Sequence, residues 1–162
     1  MQAKIIAPKQ IILFRGTLEI ITYPEKEPFY TAFYDHIQNF FQAHGFICNN
    51  AFYGAQELSS ALITPNTNIL IGHSMGALAL IRTYASLFHP NVKHLLFFDP
   101  AFEFYNLIKF HNVSIHIFIS KYWSVDYWRF YGSTLGTVHL LNDNHYFSSS
   151  LPYITDVLEK TI

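Results

Sequence analysis

Six short, almost uninterrupted apolar runs, spaced by longer stretches of helical periodicity, constrain this 162-residue chain more than any other feature. The runs are Gln10–Arg15, Phe46–Asn50, Asn68–Gly72, Val92–Phe98, Val113–Ile119 and Thr137–Leu141. Strands that alternate apolar and polar residues face water on one side, whereas strands covered on both faces read as continuous apolar runs. Between them, Phe29–His44 sets Phe33, Ile37, Phe40 and Phe41 at helical spacing and ends at Gly45. Further helices are expected over Gln56–Ile63, Met75–Phe88, Phe102–Ile108, Val125–Tyr131 and Leu151–Lys160. Strand and helix in alternation predict an α/β fold, a three-layer α-β-α sandwich about a mostly parallel six-stranded sheet. With no repeat, linker or low-complexity tract, residues 1–162 read as one domain.

Composition excludes several classes. Apolar residues make up 51% and charged residues 13%, the reverse of a disordered chain. Ten Lys and Arg balance eleven Asp and Glu without a basic run, which argues against nucleic acid as a partner. A single cysteine, Cys48, rules out an internal disulfide framework and a cysteine zinc site. No apolar run approaches a membrane span, and residues 1–10 lack the apolar stretch of a secretory signal, so a cytoplasmic protein is expected. The 18% aromatic content and nine histidines are left without a role by composition alone.

In a parallel sheet, sites form where strands end and helices begin. One such turn reads Gly72-His73-Ser74-Met75-Gly76, directly after an expected strand and opening an expected helix. A serine in so sharp a turn projects its hydroxyl above the sheet, and the helix behind it turns unpaired N–H groups toward developing negative charge. The Met75 N–H is the first candidate donor. His73, beside the serine, is read as lining the substrate pocket or packing against it.

A serine hydroxyl needs a base. Of the nine histidines, only His145 sits in a loop just beyond the last strand, within Asn142-Asp143-Asn144-His145-Tyr146-Phe147. Two carboxylates could orient its ring. Asp126, which follows the strand Val113–Ile119, is preferred to Asp99, which ends the strand Val92–Phe98. Asp126 could otherwise cap the next helix, and Asp99-Pro100 could be a turn device.

The motif around Ser74, a later acid and His145 after the last strand resemble the α/β-hydrolase family over nearly the whole chain. The resemblance implies a serine hydrolase acting on a small ester or thioester through Ser74, Asp126 and His145, with no metal or organic cofactor. The family strand that normally ends in His-Gly here ends in Arg15-Gly16, and the resemblance places the second oxyanion donor at the Thr17 N–H. It also implies a minimal version of the fold, without the family's first two strands and without a lid over the site. A homodimer is one way of covering the shortened sheet edge. Arg15 could attract a substrate carboxylate or phosphate, or pair with Glu19. Trp123, in the aromatic stretch 121–131, could form an apolar wall with Phe102 opposite, or that stretch could pack on the sheet. The altered Arg15-Gly16 turn admits a second reading, a non-catalytic binding protein on the same fold.

Overall fold

The computed structural model describes residues 7–16, 24–52, 63–86, 91–101, 112–121 and 125–162. In it the six apolar runs form one sheet: β1 (Gln10–Arg15), β2 (Ile47–Phe52), β3 (Thr67–His73), β4 (His94–Phe98), β5 (Ser114–Ser120) and β6 (Thr137–Leu141). The strand order is β2-β1-β3-β4-β5-β6 and every pairing is parallel, where the sequence suggested mostly parallel. Among the described residues four α-helices cover it: α1 (Glu27–Ala43), α2 (Met75–Ser86), α3 (Val125–Tyr131) and α4 (Leu151–Thr161). The helices expected at 56–63 and 102–108 lie, Ile63 apart, outside the described residues, and Ile63 is not helical.

Side chains of successive strand residues alternate between faces, so each strand feeds two cores. Ile11, Leu13, Ile69, Ile71, Leu96, Phe98 and Phe118 pack beneath α1 and α4. Ile12, Phe14, Leu70, Leu95, Phe97, Ile117 and Ile119 pack beneath α2 and α3. The aromatic excess is unevenly divided between these cores. Among the described residues, the first buries Tyr30, Phe33, Tyr34, Phe40, Phe41, Phe98, Phe118, Tyr146 and Phe147, and the second Phe14, Phe97 and Trp128. Much of the aromatic content is therefore core beneath two helices. The α1 helix ends as the sequence predicts, at Gly45 in a left-handed conformation (φ 79°).

Chain order reverses between β1 and β3. The chain leaves β1 for β2 on one side, then crosses back to start β3 on the other. At such a switch point the loops diverge and leave a crevice above the carboxyl ends of the two strands. Those ends are Arg15-Gly16 and His73-Ser74.

Four histidines grip α4. His36 of α1 and His44, which caps the end of that helix, reach Thr155 and Glu159 at 2.8 and 3.3 Å. On the sheet side, His139 meets Tyr153 at 2.9 Å and His116 at 3.1 Å, and His116 lies 3.5 Å from the Thr161 hydroxyl. Burial lowers the pKa of His36, His116 and His139, the last to about 4 with help from His116. His94 is lowered in the same way. A histidine whose folded pKa is depressed contributes stability that is present above about pH 6.5 and lost as pH falls through the folded value. His44, raised by the Phe40 carbonyl, works in the opposite sense but lies at the surface, where solvent screens it. The melting temperature is expected to drop by roughly 5 °C or more between pH 7 and pH 5, followed by calorimetry. A His139→Gln variant should show a flatter dependence.

Candidate active site

The turn that carries Ser74 is built by steric exclusion. A Cβ placed on Gly72 would lie 2.6 Å from the Ala77 Cα, and one on Gly76 would strike the Phe14 carbonyl. Only glycine lets β3 turn into α2 at this distance from β1. Ser74 adopts φ 53°, a left-handed conformation that an L-residue holds only when its surroundings enforce it. The enforcement is visible in its hydrogen bonds. Its N–H donates to the Phe98 carbonyl at 3.0 Å, and its own carbonyl accepts the N–H groups of Ala77 and Ala101, each at 3.1 Å. Ser74 is thus bound at both ends to the chain on either side of Asp99.

Asp99 carries the second such conformation, φ 40°, and is fully buried. One carboxylate oxygen accepts the Ser120 backbone N–H at 2.7 Å. The other accepts the Ser120 hydroxyl and faces His145 Nδ1, both at 2.7 Å. Burial raises the Asp99 pKa, and the bonds from His145 and Ser120 oppose that rise. Because a carboxylate only accepts, the His145 proton resides on Nδ1 and the lone pair on Nε2. That is the tautomer a general base requires.

The choice of Asp126 is corrected here. Asp126 lies in the first turn of α3, its side chain 89% exposed, 3.7 Å from Arg129. An aspartate has a short reach, and Asp99, directly after Phe98 at the end of β4, stands within it of His145. Asp126 lies six residues beyond the end of β5 at Ser120. Ser120, which anchors Asp99 twice, was missed by the sequence reading; its one signal is its place at the end of the neighbouring strand.

The loop after β6 is organised by its own side chains. Asp143 accepts the N–H groups of Asn144 and Ser149, and the Asn144 side chain accepts that of Tyr146. Phe147 holds a third left-handed conformation (φ 54°), offset by complete burial of its ring against Phe33 and Phe98. Of four non-glycine residues with positive φ among the described residues, three thus surround one site.

Of the two readings of His73, lining a pocket or packing, the structure shows packing. It is fully buried, with its ring 4.6 Å from that of His145 and both nitrogens engaged by protein groups. Arg15 places its guanidinium 4.2 Å from the centre of the Tyr34 ring and 6.0 Å from that of Tyr30. Glu19, Thr17, Trp123 and Phe102 lie outside the described residues. Gly16 passes close to Ser74, for a Cβ there would lie 3.4 Å from the Ser74 Cβ and 3.5 Å from the Met75 nitrogen. Beside the histidine, Lys26, Phe29, Asn144, His145 and Tyr146 enclose a hollow of about 320 Å³. Cys48 is half-buried at β2, its thiol pKa pushed up to about 11 by burial, and takes no part here.

No family model matches the chain, and no curated protein sequence matches it. Solved structures do. A candidate hydrolase of the alpha/beta superfamily from Xanthomonas campestris superposes with a TM-score of 0.64 at 12% identity, over 96% of this chain and 100% of that one. A protein of unknown function from Agrobacterium tumefaciens, grouped with the alpha/beta hydrolases, gives 0.68 at 12% identity over 99% and 87%. The esterase domain of a Rhodothermus marinus protein gives 0.61 at 12% identity over 94% and 84%. With its all-parallel sheet and its strand-to-helix serine turn, this chain has the α/β-hydrolase fold.

Proposed function

We propose that the chain is a serine hydrolase that cleaves a carboxylic ester or thioester through an acyl-enzyme. The observation that carries this reading is the 2.7 Å bond between His145 Nδ1 and buried Asp99, at the sheet end where Ser74 is held in a left-handed turn. In this mechanism Ser74 Oγ attacks the substrate carbonyl carbon while His145 Nε2 takes its proton. The carbonyl oxygen becomes an oxyanion against the Met75 N–H, with the Thr17 N–H assigned as second donor on the strength of the family resemblance. His145 returns the proton to the departing alkoxide or thiolate. Water then attacks the acyl-serine by the same route in reverse, restoring Ser74. The hollow beside His145 suits a short apolar substituent, since Phe29 and Tyr146 form its walls.

A fluorophosphonate probe tests the reading, because it reacts only with a serine activated by a base. The wild-type protein is expected to label at one site, identified by peptide mass spectrometry as Ser74, and Ser74→Ala is expected not to label. Absence of wild-type labelling beside a reactive control hydrolase would favour a non-catalytic binding protein. A series of p-nitrophenyl esters of rising chain length would then define the acyl preference.

A further inference from the structure

A line of hydrogen bonds runs through His73 from the end of β1 to the loop that carries His145. Its direction follows from chemistry. His73 Nε2 lies 2.9 Å from the His145 carbonyl oxygen, which can only accept, so Nε2 bears the proton. Nδ1 therefore holds a lone pair, and the Tyr34 hydroxyl 2.7 Å away donates to it. The phenol oxygen in turn accepts the Gly16 N–H at 3.4 Å. Burial of the phenol opposes its ionisation, which keeps it a donor.

The surroundings hold this line in place. The Tyr34 ring is covered by the Arg15 guanidinium and flanked edge-on by Tyr30. Phe33 and Tyr34 crowd the His73 ring at centroid distances of 5.0 and 5.6 Å. An apolar side chain would fill this aromatic core at less risk, because a buried polar group costs stability whenever its partner is lost. The line spans α1, the serine turn and the loop of His145, elements far apart in the sequence.

We propose that Tyr34 and His73 are positioning residues for His145, an inference that rests on the hydrolase reading of the site. Asp99 fixes the imidazole by its Nδ1 atom, and His73 fixes the same residue by its backbone carbonyl. Held at one point the ring can pivot; held at two it cannot. Because Gly16 lies close to Ser74, the line also ties the strand end beside the nucleophile to the loop that carries the base. Misplacement of a catalytic group by about 1 Å can cost roughly a hundredfold in rate.

Tyr34→Phe removes one oxygen and keeps the ring. It is expected to lower kcat about tenfold with KM within about twofold, and to speed hydrogen exchange of the 143–150 amides by about tenfold. His73→Gln, whose amide N–H can still donate to the His145 carbonyl, should keep most of the rate. His73→Leu should lose about a hundredfold. In the His73→Leu background, Tyr34→Phe should cost nothing further, because the phenol acts through His73. Independent, multiplicative losses would overturn the proposal. So would unchanged exchange at 143–150 in Tyr34→Phe, a measurement that stands alone if His73→Leu does not fold. Exchange needs no substrate, so it decides the positioning line separately from probe labelling, whose failure would remove the hydrolase reading instead.

Discussion

Asp99→Asn is expected to reduce kcat for ester hydrolysis by about 10⁴-fold, while Asp126→Asn leaves it unchanged. The asymmetry follows from hydrogen-bond direction. Asp99 accepts from Ser120 N–H on one oxygen and from the Ser120 hydroxyl and His145 Nδ1–H on the other. An asparagine has one oxygen and one NH₂ for these two places. If the NH₂ faces His145, two donors oppose each other and the imidazole moves its proton to Nε2, where it blocks acceptance from Ser74. If the NH₂ faces Ser120 instead, a buried backbone N–H loses its acceptor and the aspartate anchor loosens. Either arrangement disables the base without removing it. Asp126 has no comparable place, since its side chain is exposed on α3 and lies 3.7 Å from Arg129. Steady-state kinetics on a p-nitrophenyl ester checks both variants. A loss confined to Asp126→Asn would return the assignment to Asp126.

The largest effect on stability is expected from Gly76→Ala, a loss of about 3 kcal/mol or more in urea denaturation. Helix propensity argues the other way, favouring alanine by about 1 kcal/mol within α2. Packing decides the sign. The added methyl would meet the Phe14 carbonyl and lie 2.8 Å from the Arg15 carbonyl carbon, both backbone groups of β1. That strand is paired on both sides, with β2 and with β3, and cannot retreat without breaking one ladder. Gly45→Ala is the control. Gly45 has φ 79° but open space around it, so alanine there brings conformational strain of about 1 kcal/mol and no collision. A midpoint for Gly76→Ala at or above that of Gly45→Ala would contradict the steric account.

The sheet was legible because doubly covered strands must be continuously apolar, and runs such as Ile11–Phe14 and Leu95–Phe98 have few other uses. Strand ends were less so. β3 extends from Thr67 to His73 because its neighbours supply partners there, which no property of Thr67 announces. The serine turn was legible for a steric reason: Gly72 and Gly76 stand where any side chain would collide. Asp99 was harder to read, because Asp-Pro is also common turn chemistry and the reach of an aspartate matters only once strand ends are located. The Tyr34–His73 contact, 39 residues apart in the chain, belongs wholly to tertiary structure. No periodicity in α1 distinguishes Tyr34 from the aromatic neighbours that merely fill the core.

The bond from Asp99 to His145 spans 46 residues of chain, and that from His73 to the same loop spans 72. A ribosome makes protein from the N-terminus, so the serine turn and its carboxylate emerge well before the residue that would arm them. On the proposed mechanism, a growing chain carries a nucleophile with no base until the last strand and its loop have been synthesised. Reactivity would then begin only when the sheet is complete, and a chain interrupted before residue 145 would be inert.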